Sequence, residues 1–175
     1  MIKRLPKEKY QDFELDFHYQ SYWFYDVIRE LDDDIMVLKF LKTKVDKAIS
    51  RKFVDKLYAS HYENAEAYGY FVDDGLAGVL EINFESWNQR VRITECIVFD
   101  RFLRKGIGSK LMAFGEERAK ALNARAMVLE TQTSNVRAID FYRNCGFSLI
   151  GTDLHAYSNA DCEKREVRIE MGKIV

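Results

Sequence analysis

Cysteine and histidine are scarce in this 175-residue chain, and proline occurs once. Cys96, Cys145 and Cys162 are odd in number, far apart and without a C-x-x-C pair, so neither a disulfide framework nor a structural zinc site is expected. His18, His61 and His155 are equally scattered. With no H-E-x-x-H spacing and no G-x-S-x-G turn, metalloprotease and serine-hydrolase chemistry lacks its residues, and no metal is expected. No apolar run approaches the ~20 residues that cross a bilayer. The basic stretch MIKRLPKEKYQDFE leads into nothing apolar, so no membrane span or secretory signal is read, and a cytoplasmic location is the default. A charge imbalance is missing too: 27 basic and 28 acidic residues leave −1, which offers nucleic acid no electrostatic footprint. Apart from Pro6 there is no proline, and no Gly/Ser-rich linker or repeat marks a boundary; one domain over 1–175 is expected.

What is present is globular: 47% hydrophobic, 31% charged and a heavy 14% aromatic. From Phe13, apolar Phe13, Leu15, Phe17 and Tyr19 alternate with Glu14, Asp16, His18 and Gln20, the period of a half-buried strand. The aromatic run YWFYDVIREL reads as a second strand after a turn near Gln20-Ser21. After Asp32-Asp33-Asp34, the residues Leu38, Leu41, Val45, Ala48/Ile49, Phe53 and Leu57 fall at helical spacing, predicting a helix over roughly 43–59. From residue 65 onward AEAYGYFV and LAGVLEINF are strands joined at Asp73-Asp74-Gly75, where Asp-Gly tolerates positive φ. A turn at ESWNQ then leads into RVRITECIVF, completing an antiparallel meander. RKGIGSKLMAFGEERAKAL is a glycine turn opening an amphipathic helix, with Ile107, Leu111, Phe114, Arg118 and Ala121 at its spacing. ARAMVLET is a strand, SNVRAIDFYRNCGF a helix closed near Asn144 and Gly146, and FSLIGTDL and KREVRIEM two last strands. The fold class is α/β (α+β): a mixed, mostly antiparallel sheet of about 6–7 strands flanked by helices.

A strand running into a glycine turn and a helix start is an anion-binding device. Missing Cβ atoms let backbone N–H groups approach a phosphate, and the helix dipole adds partial positive charge. Here the device is Leu103-Arg104-Lys105-Gly106-Ile107-Gly108-Ser109, followed by Lys110. It lacks the G-K-[ST] of a P-loop, and antiparallel strands before it do not suit a dinucleotide-binding βαβ unit, so another phosphate-bearing cofactor is implied. The run V-x(7)-G-I-G-S-K-L at 98–111, L-E-T-Q at 129–132 and N-V-R-A-I-D-F-Y-R-N-C-G-F at 135–147 resembles the acetyl-CoA-dependent N-acetyltransferases of the GNAT superfamily. The resemblance covers roughly residues 65–155. Within the superfamily, SWNQRVRI, LETQ, FYRNCGF and GTDLHAYSN look most like the streptothricin acetyltransferases.

The resemblance implies a set of roles. Leu103–Ser109 would hold the pyrophosphate of acetyl-CoA through backbone amides. Cys96, Ile97 and Val98 would pair through their main chain with the pantetheine arm and thioester, in a gap between their strand and the next. Asn135 would contact the cofactor, and Tyr142 would protonate the leaving thiolate. One position departs from the pattern: Leu103 stands where the family usually has Arg or Gln, with Arg104 one place later, which implies weakened rather than lost cofactor binding. The chemistry also needs a base for the amine and a strand N–H for the developing oxyanion. Glu95, on the strand that ends at the loop, is the first candidate, with Glu81, Glu130 and ordered water as alternatives. Trp87, Asn88, Glu130, Tyr157 and Asn159 are candidates for the acceptor site. The expected activity is acetyl transfer to a primary amine, a small polycationic antibiotic of the streptothricin type or, as a rival, a protein N-terminus. A non-catalytic acyl-CoA-binding regulator is the rival from another class. The partner is thus a small-molecule or peptide amine, with no nucleic acid or membrane, and a homodimer is compatible with the reading.

Overall fold

The computed structural model describes every residue from Met1 to Val175. In chain order the elements are β1 (Ile2–Leu5), α1 (Lys7–Tyr10), β2 (Glu14–Leu31), β3 (Met36–Lys56), β4 (Ala65–Val72), β5 (Gly75–Glu85) and β6 (Arg90–Val98). After them come α2 (Ile107–Ala121), β7 (Ala126–Gln132), α3 (Val136–Asn144), β8 (Ser148–Asp153), α4 (Asp161–Lys164) and β9 (Arg168–Ile174). Seven strands are hydrogen-bonded in the order β1-β4-β5-β6-β7-β9-β8, and β2 and β3 form a sheet of their own. This is the mixed, mostly antiparallel sheet with flanking helices expected from the sequence. No helix is long and apolar enough to cross a membrane. The chain forms two compact units: Met1–Phe17 with Phe53–Leu129 and Gly172–Val175, and His18–Lys52 with Glu130–Met171.

In the first unit the expected meander is present. β4 and β5 pair antiparallel from Ala65–Asn83 to Val72–Gly75, and β5 pairs antiparallel with β6. The hairpin turn is shifted by one residue from the sequence reading. Asp73 (φ 47°) and Asp74 (φ 59°) take the two left-handed positions and Gly75 is already in β5. Aspartate tolerates this region because its short polar side chain bonds locally. α2 buries Ile107, Leu111, Met112, Gly115 and Ala119. This i, i+4 ridge replaces the expected stripe through Phe114 and Arg118. Phe114 instead meets the Tyr68 ring edge-on at 4.7 Å, and Arg118 makes a two-pronged ion pair with Glu66, both bonds 2.7 Å. Small residues are needed where α2 meets the sheet: a Cβ on Gly115 of the helix would lie 3.0 Å from Leu80, and one on Gly78 would lie 2.8 Å from the Ile97 carbonyl. A separate core cluster of Leu5, Leu15, Leu57, Tyr58, Ala67 and Val79 is closed to solvent, each large side chain worth about 1.5–3 kcal/mol of burial.

The expected helix over 43–59 is instead the strand β3, and the expected turn at Gln20-Ser21 lies inside the continuous strand β2. Both corrections have one physical cause. Residues i and i+4 share a face in a helix and also in a strand, so Leu41, Val45, Ile49, Phe53 and Leu57 fit either period. The neighbouring sequence decides in favour of a strand, because the long alternating run of β2 supplies a partner. In the second unit Val45 and Ile49 do share a face, packed with Phe24. Ser21 Oγ accepts from the Trp23 N–H at 3.1 Å, a local bond within the strand rather than a reversal. The chain turns at the acidic triplet, where the Asp32 N–H donates to Ile35 O at 2.8 Å and the Asp33 N–H donates to Asp32 Oδ1 at 2.7 Å. β1, α1 and α4 were not anticipated; at four residues each they are too short to show a period.

Candidate functional site

The glycine turn lies in the first unit, between β6 and α2. Asp100–Phe102 forms a 3₁₀ turn, after which Arg104 (φ 59°) and Gly106 (φ 73°) take left-handed conformations. Gly106 is the residue at the mouth of α2, where no side chain caps the helix and no acidic residue stands in the first turn. The Lys110 N–H donates to Gly106 O at 3.2 Å. The N–H groups of Ile107, Gly108 and Ser109 therefore precede the helical ladder, as the first amides of any helix do. A Cβ on Gly106 would meet nothing within 4 Å, so the demand for glycine here comes from φ and not from crowding. Gly108 is in the first turn of the helix; the bend is made by Arg104 and Gly106.

Positive charge gathers around this turn. The Arg101 guanidinium lies 4.5 Å and the Lys105 ammonium 5.4 Å from the Phe102 ring centre, while Lys110 Nζ donates to the Tyr70 hydroxyl at 3.3 Å. Arg104 and Lys105 are exposed. Uncapped amides, the positive end of a 15-residue helix and four basic side chains are local parts whose charge and donors suit an anion.

The strand leading to the turn carries a bulge. Glu81 pairs with Glu95 and Ile82 with Ile93, so Thr94 is an extra residue on β6. Its hydroxyl donates to Glu81 Oε2 at 2.7 Å, while the Tyr58 N–H donates to Oε1 at 2.6 Å. Glu81 is fully buried; burial raises its pKa, and these two bonds work against that rise. Both Glu81 oxygens are therefore engaged. Glu95, directly opposite in register and 6% exposed, lies on the same face. Cys96 Sγ packs 3.9 Å from Met112 Sδ, Ile97 joins the Leu5–Val79 core, and Val98 pairs with Gly78. The parallel pairing of β6 with β7 runs from Arg90–Ala126 to Ile93–Leu129, so Thr94–Val98 lies beyond its last pair. Trp87 and Asn88 sit at the Arg90 end of β6, opposite the end that reaches the loop, so the structure does not bring them to the glycine turn. Trp87 is 82% exposed beneath the Arg90 guanidinium, and Asn88 is engaged with Glu85 and the Arg90 N–H.

The second unit holds the remaining candidates. Asn135 caps α3, its Oδ1 accepting from the Ala138 N–H at 3.2 Å. The Tyr142 ring contacts Phe141 and Phe147, with centroids 5.3 and 6.3 Å apart. Glu130 is ion-paired with Arg168 at 2.9 Å, and Arg168 also holds Glu170 at 2.8 Å. The segment after β8 is organised by Asp161, wholly buried, whose carboxylate accepts from the Tyr157 N–H at 2.9 Å and the Ser158 hydroxyl at 2.7 Å. Those bonds hold the Asp161 carboxyl below the usual range although burial alone would raise it. Reasoning from the sequence overlooked Thr94, since only the pairing register reveals a bulge. It also overlooked Tyr19 and Gln132, whose hydrogen bond spans 113 residues of sequence.

A streptothricin acetyltransferase of Escherichia coli is 37% identical over 95 residues, 54% of each chain. The chain thus spans about half the length of the curated relatives it matches. Among solved structures, nourseothricin acetyltransferase superposes with a TM-score of 0.75 at 22% identity, covering 99% of this chain and 97% of its own. A crystal structure from Bacillus anthracis str. Ames in complex with acetyl coenzyme A gives 0.73 at 22% identity, covering 100% and 97%. At such identities the superpositions establish the fold. The family model described as Acetyltransferase (GNAT) family matches residues 25–147, more than half of the chain and inclusive of the glycine turn and α3. The chain belongs to the acetyltransferase (GNAT) family.

Proposed function

We propose that this protein is an N-acetyltransferase that takes an acetyl group from acetyl-CoA and delivers it to a primary amine of a small polycation of the streptothricin type, the whole chain acting as one domain. The observation that carries the reading is the uncapped start of α2 behind Gly106, ringed by Arg101, Arg104, Lys105 and Lys110. It suits a diphosphate in charge and in donor direction. Lys105 and Arg104 supply charge that Leu103, at the variant family position, does not. Acetyl-CoA brings an activated acetyl group; the protein brings a base, a proton donor and orientation. Glu95 is the base: it is buried on the strand entering the loop, directly opposite Glu81 in register. The main chain of Cys96–Val98 aligns the pantetheine arm and thioester. The Nδ2 group of Asn135 donates to the cofactor while its Oδ1 caps α3, and the Tyr142 hydroxyl returns a proton to the departing sulfur. The E. coli relative, named for a streptothricin substrate, supports the acceptor class.

The test is thiol release from acetyl-CoA across streptothricin F, short peptides with free N-termini and no added amine. Release with streptothricin, lowered by roughly a hundredfold or more in kcat for Tyr142→Phe with an unchanged coenzyme A Kd, is expected. Release with peptides alone would move the assignment to protein N-termini. Coenzyme A binding with no release for any amine would make the chain a regulator.

A further inference from the structure

Leu5, Ala67, Glu81 and Glu95 lie side by side in register across β1, β4, β5 and β6, and all four are buried. Two apolar side chains are thus followed by two carboxylates. Directly opposed residues of an antiparallel pair carry their Cβ atoms about 4.5–5.5 Å apart, so the two carboxyl groups share one water-poor compartment. Leu57 and Tyr58 cover this face, and α2 packs on the other through Met112 against Cys96. Two departures from regular backbone converge on Glu81. Tyr58, bulky and buried, takes φ 59°, a left-handed conformation that costs it energy. Its N–H donates to Glu81 Oε1 at 2.6 Å, and its hydroxyl is fixed at the far end of the row, donating to Leu5 O and accepting from the Ala67 N–H at 3.1 Å. The bulge at Thr94 brings a hydroxyl to Glu81 Oε2 at 2.7 Å. A donor on each oxygen favours the charged form of Glu81 against the burial that opposes it. Neither donor is a cation, so the charge is oriented without being neutralised. Of the other charged groups acting here, Asp55 adds to the negative field at Glu81 and His61 offsets it, while Arg4 and Glu8 act on Tyr58.

We infer that Glu81 is a positioning residue whose fixed carboxylate makes the opposed Glu95 hold a proton more tightly, and so makes Glu95 a stronger base toward an incoming ammonium. This rests on the acetyltransferase reading above. Two carboxylates facing each other away from water resist being charged together. Tyr58 and Thr94 hold Glu81 in its charged form, so the proton goes to Glu95. In the step itself an N–H bond of the ammonium breaks and an O–H bond forms on Glu95. The nitrogen keeps the electron pair with which it attacks the thioester.

The experiment reads the proton on Glu95 directly and through turnover. In the full chain with isotope-labelled glutamate carboxyl carbons, the Glu95 NMR signal, assigned by its loss in Glu95→Gln, is expected to titrate at higher pH than the exposed glutamates. Glu81→Gln keeps the shape and both hydrogen bonds, because the Thr94 hydroxyl can turn to accept from the amide. It should lower the Glu95 midpoint by about one pH unit, tenfold in proton affinity. The kcat profile against pH, at saturating acetyl-CoA and streptothricin F, should follow: the acid limb moves down by the same amount, and the plateau falls about threefold because the base is weaker. Thr94→Val is the second variant. It takes a donor from Glu81, which then holds the proton itself, and should move the Glu95 midpoint the same way by about half as much. Thr94→Ser should restore it. Thermal melts establish that each variant is folded. A Glu81 that is merely structural would leave the midpoint and the acid limb in place and depress kcat alike at every pH; that result overturns the inference and leaves the acetyltransferase reading standing. So does a wild-type Glu95 that titrates with the exposed glutamates. A chain in which the midpoint falls as stated but no amine releases thiol overturns the acetyltransferase reading and the base role with it, while the coupling of the two carboxylates stands.

Discussion

The two long-helix starts of this protein answer the same physical demand in opposite ways. Every helix leaves its first amides without internal partners. At α3 the chain supplies an answer itself, through Asn135 Oδ1 on the Ala138 N–H. At α2 it supplies none: Gly106 has no side chain to offer, no carboxylate stands in the first turn, and the basic residues nearby cannot accept. The same sequence that spends a side chain on one helix withholds it from the other. On the proposed reading the α2 amides are kept for an outside acceptor, whereas at α3 Asn135 already takes the Ala138 N–H.

Substitutions at three positions test that contrast, the most damaging first. Gly106→Val puts a β-branched residue at φ 73° with open space around its Cβ. It should cost about 1–2 kcal/mol of stability or more through left-handed strain and weaken coenzyme A binding at least tenfold. Denaturant melts and calorimetry read the two effects, and a full-strength affinity would deny the loop its phosphate. Asn135→Ala should cost about 1 kcal/mol by removing the α3 cap. Asn135→Asp keeps the cap and the stability, so a fall in coenzyme A affinity in both variants isolates the contribution of Nδ2. Equal affinity in both would reduce Asn135 to a cap. Smallest in stability is Ser109→Glu, which places a carboxylate in the first turn of α2, as in a self-capped helix. It should raise stability by about 0.3–1 kcal/mol while lowering coenzyme A affinity several-fold. Gain of both together would mean that the helix start was not reserved for an anion.

Much of the second half of the chain is legible because its signals are local. The meander, the glycine turn, α2 and α3 each carry their own period and their own end markers within a dozen residues. Gly106 could be named as a helix-start residue without coordinates for that reason. The first half is ambiguous because Val45 and Ile49 sit four apart, a spacing common to helix and strand, and only pairing with β2 separates the two. The site divides along the same line. Gly106 and its cations are adjacent in sequence, whereas the competition among Glu81, Glu95 and Glu130 for the role of base depends on who holds each carboxylate.

Order of residues alone determined the mixed α/β class, the glycine turn at Leu103–Ser109 and the motifs that resemble the GNAT acetyltransferases, since those features rest on neighbours along the chain. Tertiary structure alone decided that Thr94 is a bulge, that Glu81 is taken by Tyr58 and Thr94, and that Tyr19 reaches Gln132. A hydrogen bond between residues far apart in sequence leaves no mark on the local period of either.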